Sequence, residues 1–473
     1  MFDLVIKNAN VVSPDAIIFC SIGINNGKIR ELSNSSLEGK TIIDAQNNYV
    51  LPGGIEAHMH CRAPFQGCLG AHTFYEQSKV AAFGGITTFM DFANMSTGQD
   101  PYDQVMNRVN EMKESAIDYS VHGKIVEYNE NVKKSIKKLV DEGFPSFKMF
   151  MTYKKEGVMS SDETILNIFK LSKELGAIPM LHCESNAIAE LNIEKAISEG
   201  NTTWKKFAEC KPVMCEVEAF DRALNFAKYI GNAIIIVHTT NGICLDSARR
   251  AHEELFPVYV ETGPHYLTLF DNLYEGEDGY LAICSPPLRT PKEAEELWKG
   301  LEDGTINLVG SDDCTFDYDE KTMFLKRDKD GNFIQDFTKV VNGMGGIETR
   351  LPILLSEGVN KGRLSINQVC ALTSTNIAKL YGCYPQKGII APGADADLTI
   401  LDMSRVVPMT KENLHSKIHY SLYQDIVATG WPITTISRGK VIVENGEFKG
   451  EKGRGQLVPC KINSCYLNKY SGI

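Results

Sequence analysis

Between residues 52 and 387, short apolar runs alternate with longer stretches of helical period, and this rhythm restricts the fold more than any other feature. Eight runs are found, at residues 55–60, 86–92, 119–123, 147–151, 178–183, 234–238, 257–261 and 306–312. Residues 75–83, 132–140, 163–175, 217–229 and 243–255 place apolar side chains at helical spacing. Short buried strands alternating with helices make repeated βα units and a parallel sheet. Eight such units over about 335 residues fit a (β/α)8 TIM-like barrel better than a doubly wound sheet.

The chain ends follow another pattern. Residues 4–6, 17–24, 28–30 and 41–43 read as short strands, with the Asn25-Asn26-Gly27 turn between two of them. Residues 396–401 and 433–443 repeat the pattern, the second closing on Asn445-Gly446. The expected organisation is an α/β chain with a small β-sandwich domain from residues 1–51 and 388–449, a barrel from 52–387, and a tail from 450–473. That tail is rich in Gly and Lys and has no period, so it is expected to wrap a neighbour or fray.

Charge narrows the partners. Sixty acidic against 49 basic residues leave a net charge of −11, which argues against nucleic acid or an anionic membrane surface. A small molecule is the expected partner. No run approaches the ~18 apolar residues of a membrane span, and residues 1–7 lack the form of a signal peptide, so a cytoplasmic protein is expected. The 13 cysteines include no C-x-x-C pair and read as buried thiols in a reducing compartment.

The polar residues near the ends of the runs carry the chemistry. Run one ends in His58-Met59-His60, run four contains Lys148, run five His182, run six His238 and run eight Asp312. Residues i and i+2 of a strand face the same way, so His58 and His60 can grip one ion. Each group alone has a plainer reading: a hydrogen-bonded core histidine, a snorkelling lysine, or an aspartate in a turn. Because barrel active sites lie at the carboxyl ends of the strands, the six together read as a metal centre.

A lysine suits such a centre. Burial lowers its amine pKa, and the neutral amine can react with CO2 to give a carbamate whose two oxygens bridge two divalent ions. A second bridge would be water acidified to hydroxide, with Asp312 binding an ion and passing the proton to a leaving nitrogen. Such a centre can hydrolyse an unactivated amide.

The segments Pro52-Gly53-Gly54-Ile55-Glu56-Ala57-His58-Met59-His60, Ser146-Phe147-Lys148-Met149-Phe150-Met151-Thr152-Tyr153-Lys154, Val237-His238-Thr239, Cys284-Ser285-Pro286-Pro287-Leu288-Arg289 and 388–398 resemble the hydantoinase/dihydropyrimidinase branch of the cyclic amidohydrolases. The resemblance implies a (β/α)8 barrel with a β-sandwich, ring opening of hydantoins, dihydropyrimidines or related cyclic ureides and imides, and a homotetramer. It implies one zinc on His58, His60, Lys148 and Asp312, and another on carbamylated Lys148, His182 and His238. Tyr153 would donate to the developing oxyanion, and the backbone at Ser285 and Asn342 would hold the ring.

Two departures bear on the substrate. Asp313 follows Asp312 where the family usually has His, and either retunes the base or faces solvent. Arg62, in His58-Met59-His60-Cys61-Arg62-Ala63-Pro64, and Asn94 resemble the carboxylate-binding pair of dihydroorotases. A guanidinium fork matches a carboxylate, so a dihydroorotase- or allantoinase-like hydrolase of a carboxylated ring is the alternative. A metal-free scaffold relative is the non-enzymatic alternative, disfavoured because all six ligand positions are filled.

Overall fold

The computed structural model describes residues 1–470 and 472. Its centre is a parallel sheet of eight strands: β1 (Gly54–Met59), β2 (Ile86–Ala93), β3 (Asp118–Lys124), β4 (Ser146–Phe150), β5 (Ile178–His182), β6 (Ile234–Ile236), β7 (Val258–Thr262) and β8 (Leu308–Val309). Each strand pairs with its successor in chain order, from β1 to β8. All eight apolar runs form these strands, and the five helical stretches become Phe74–Phe83, Glu130–Asp141, Asp162–Leu175, Val213–Ile230 and Gly242–Glu253. Every residue of β1, β2 and β4 to β8 is buried, as expected when helices cover the outside and side chains fill the inside.

Closure between β8 and β1 uses few backbone bonds. Met59 bridges Asp313 in parallel, and His60 N–H donates to Asp313 O at 2.7 Å. The buried Glu56 accepts from Ser311 N at 3.1 Å and from His58 N at 2.9 Å. Behind it Arg350 Nη1 donates to Ile55 O of β1 (2.8 Å) and Val309 O of β8 (3.0 Å), and lies 3.4 Å from Glu56. Side chains thus bind a seam that the ladder leaves open.

Both chain ends share a second sheet. Phe2–Val12 pairs with Ile17–Asn25, Gly39–Asp44 and Tyr49–Pro52, and Tyr49–Pro52 pairs antiparallel with Leu398–Pro408. Val427–Ser437 and Lys440–Glu444 extend the sheet. Its core mixes Leu4, Ile6, Ile22 and Val50 with Ile390, Leu398, Ile400 and Ile436. At the predicted turn, Asn26 (φ 52°) and Gly27 (φ 71°) both take the left-handed conformation that a two-residue hairpin needs.

Part of the tail packs on its own barrel instead of fraying. Gly455, Val458 and Cys460 donate backbone bonds to Ser115, Tyr119 and Gly143, and Val458, Cys460 and Ile462 join the apolar cluster of Ile55, Met180, Ile235 and Leu308. It floors the amino end of the barrel. At the same end Asp118, Asp395 and Asp397 converge closely enough to hold an ion, but Lys387 Nζ sits among them at 2.6, 3.0 and 2.5 Å. Asp395 and Asp397 are therefore structural counter-ions, tying the small domain to β3. Lys387→Met is expected to destabilise the protein by roughly 3–5 kcal/mol at neutral pH, because Asp397 loses its ion pair while Asp395 and Asp118 keep only Lys28 and Arg438. The loss should shrink as pH falls and those carboxyls protonate, which denaturant unfolding at several pH values checks.

Candidate metal centre

The strand ends bring all six predicted groups together. His58 lies within β1 and His60 one residue beyond it, with ring centroids 5.5 Å apart. Across the seam, Asp312 Oδ1 is 3.1 Å from His58 Nε2 and 3.3 Å from His60 Nε2. Lys148, in the middle of β4 and 0% exposed, places Nζ 3.4 Å from His58 Nε2. His182 ends β5, and His238, two residues beyond β6, brings its ring centroid within 4.3 Å of His182 and 5.3 Å of His58. His238 (φ 39°) and Asp312 (φ 48°) both have left-handed backbones, a strain that costs of order 1–3 kcal/mol each and is concentrated here at two inward-aimed groups.

Charge in the site is finely opposed. Burial pulls the Lys148 amine down to about 8 against the pull of Asp312 and Glu261. The rings of Phe92 and Phe150, each 5.1 Å from Nζ, supply the apolar surroundings. Burial and Lys148 act to lower His58, but Glu261 and Asp312 outweigh them and lift it to about 9. Burial holds His60 at about 4 and His182 and His238 below the ordinary range, leaving neutral imidazoles with a lone pair to give. Burial also opposes ionisation of Asp312, yet His58, His60 and His238 keep it well below the usual carboxylate range.

Carboxylates behind the histidines aim them. Glu261, in β7, contacts His58 Nδ1 at 2.5 Å, so Nε2 faces the site. Glu184 contacts His182 Nε2 at 2.6 Å, which turns the other nitrogen inward, and Lys211 Nζ contacts Glu184 at 3.1 Å. Sequence reasoning assigned neither carboxylate. Glu261 did end run seven, and Glu184 lies two residues past His182. A rule pairing strand-end carboxylates with neighbouring histidines would have found both.

The centre opens into a cavity lined by His60, Lys148, His182, His238 and Asp312 together with Tyr153, Ser285, Asn342 and Asn94. Tyr153 (φ 66°) lies just past β4, and its hydroxyl oxygen accepts from Asn342 Nδ2 at 3.1 Å. Burial pushes its pKa up to about 12, so it remains a proton donor. Ser285 precedes a cis peptide to Pro286, and its hydroxyl contacts Lys211 Nζ. Lys124 and the buried His265 also line the cavity and were not anticipated.

Two expectations meet a different geometry. Arg62 (φ 50°) is exposed and lines an adjoining outer cavity, which shares Pro64 and Asn94 with the inner one. Asp313 does not face solvent: its carboxylate is buried, accepting from Thr315 Oγ1 (2.7 Å), Gly346 N (2.8 Å) and Ile347 N (3.0 Å). It anchors the following loop, and its backbone helps close the barrel.

The amidohydrolase family profile matches residues 49–442. D-phenylhydantoinase from Escherichia coli O7:K1 is 35% identical over 462 residues, spanning 96% of this chain and 97% of that protein. A D-hydantoinase crystal structure superposes with a TM-score of 0.93 at 34% identity, covering 97% of this chain and 98% of the other. Dihydropyrimidinase from Brevibacillus agri NCHU1002 gives 0.93 at 33%, again covering 97% and 98%. With the barrel, the two-ended sheet and the converging strand ends matched over nearly the whole length, the chain belongs to the amidohydrolase family, in its hydantoinase and dihydropyrimidinase branch.

Proposed function

We propose that this chain is a metal-dependent hydrolase that opens a cyclic amide, adding water across a ring C–N bond of a hydantoin, dihydropyrimidine or related cyclic ureide or imide. The observation that carries the reading is the fully buried Lys148 amine, set among four histidines and Asp312 at the carboxyl ends of the strands. Kinship with proteins named D-phenylhydantoinase, D-hydantoinase and dihydropyrimidinase supports it. The family resemblance of its motifs makes a homotetramer the proposed assembly.

The donor set fits two divalent ions. His58, His60 and Asp312 offer donor atoms within 4.8 Å of one another, and Lys148 has an uncharged form within reach of neutral pH. In this assignment His58, His60, Asp312 and Lys148 as its carbamate would hold one ion, and Lys148 with His182 and His238 would hold the other. Zinc suits these nitrogen and oxygen donors. When bound, the ions supply Lewis acidity and lower the pKa of water towards neutrality.

The side chains do the rest. Asp312, kept ionised by its histidine neighbours, takes a proton on its carboxylate from the attacking water and returns it to the departing ring nitrogen. Tyr153, protonated throughout the working range, donates to the carbonyl oxygen as it gains charge. The backbone at Ser285 and Asn342 holds the polar edge of the ring. Phe65, Phe92 and Phe150 in the cavity wall limit water around the reacting bond.

Zinc- and bicarbonate-loaded protein is expected to open hydantoin-type or dihydropyrimidine rings and to lose this on chelation; inertness with both ions bound would refute the assignment. Reactivation of metal-free protein, at fixed dissolved CO2, should quicken as pH rises through about 8, because only the neutral Lys148 amine reacts. A flat rate across that range would remove the lysine carbamate. Glu261→Gln should weaken metal retention about 10–100-fold by releasing the His58 ring, measured by competition with a chelator.

A further inference from the structure

One cation in the cavity wall has no part in the reaction described above. Lys124 ends β3, where Gly123 pairs with Ala93 on one side and Lys124 itself pairs with Lys148 on the other. This register places Asn94, Lys124 and Lys148 at one level across three adjoining strands, all lining the cavity. Lys148 is sealed from solvent, whereas Lys124 is only part-buried. Among the described residues the Lys124 ammonium has neither an ion pair nor a side-chain hydrogen bond. Its polar contact is with the Phe150 ring, whose centroid is 5.7 Å from Nζ. The side-chain amide of Asn94 is likewise without a hydrogen bond among the described residues.

An ammonium in an apolar wall without a counter-ion is a standing free-energy cost that an incoming anion relieves. Of the other cations near the two cavities, Lys211 is paired with Glu184 and Arg108 with Glu111, while Arg62 is exposed and borders the outer cavity. We propose that Lys124, with the Asn94 amide beside it, receives a carboxylate carried by the ring that is opened, so that the substrate class is a carboxylated cyclic ureide or imide. This rests on ring opening at the Lys148 centre. Lys124 is thereby a specificity residue: it meets the substituent while the scissile amide lies over the histidines.

The test uses two planar rings that differ by one carboxylate and that hydrolysis does not consume, orotate and uracil. Calorimetric titration of the full-length protein should show orotate binding at least about tenfold more tightly than uracil, a charge-assisted margin. Lys124→Met should erase that margin, Lys124→Arg should keep most of it, and Arg62→Met should leave it in place. Equal affinity of the wild-type protein for the two rings overturns the proposal whether or not the variants fold. So does a margin that survives Lys124→Met or is lost only in Arg62→Met. Turnover of dihydroorotate and dihydrouracil by metal-loaded protein is read separately. Failure on both of these and on hydantoin overturns the hydrolase reading, while the binding titrations judge Lys124 independently.

Discussion

The seam between the first and eighth barrel strands is the constraint on which the site depends. His58 and His60 come from one side of it and Asp312 from the other, so the ligand triad exists only if the barrel closes. The ladder supplies a single bridge there, Met59 with Asp313. Closure is completed by Glu56, which accepts from both sides, and by Arg350, whose guanidinium bonds Ile55 O and Val309 O together. Burying these opposite charges is costly in isolation, and each makes the other tolerable. Stability of the seam and geometry of the metal centre are therefore the same set of contacts.

Around that seam the site is built in concentric steps. Four imidazoles and one buried amine face inward, while Glu261 and Glu184 fix which ring nitrogen His58 and His182 present. Lys211 in turn touches both Glu184 and Ser285, so the partner of a metal-facing histidine and a residue of the substrate cavity share one ammonium. Movement at one is felt at the other through a chain of short contacts in a low-dielectric interior.

Much of this was legible in the amino-acid order, for identifiable reasons. The barrel strands are apolar on both faces, so a histidine, lysine or aspartate near a strand end stands out, and all six such groups converge. Glu261 was hidden because one carboxylate closing a run looks like any turn residue, and its meaning appears only when β7 lies beside His58. Arg62 shows a different limit. Its place after the H-x-H pair suggested a carboxylate ligand, whereas its positive φ and its exposed position at the outer cavity are things that linear spacing does not report. Asp313 was misplaced for a similar reason, since the loop at residues 344–347 that it holds comes from over thirty residues away.

The sheet built from both chain ends has a consequence during synthesis. Tyr49–Pro52 has Leu398–Pro408 as a neighbour, and the two are separated by the entire barrel. At about 5–20 residues per second, a ribosome leaves that strand edge unpaired for some tens of seconds. Phe2–Val12 and its hairpin can form early, but they present an open template to any other nascent chain. Yield in a cell therefore depends on holding this edge apart until the returning strand arrives, so folding helpers that shield exposed strands should matter more than the stability of the finished barrel.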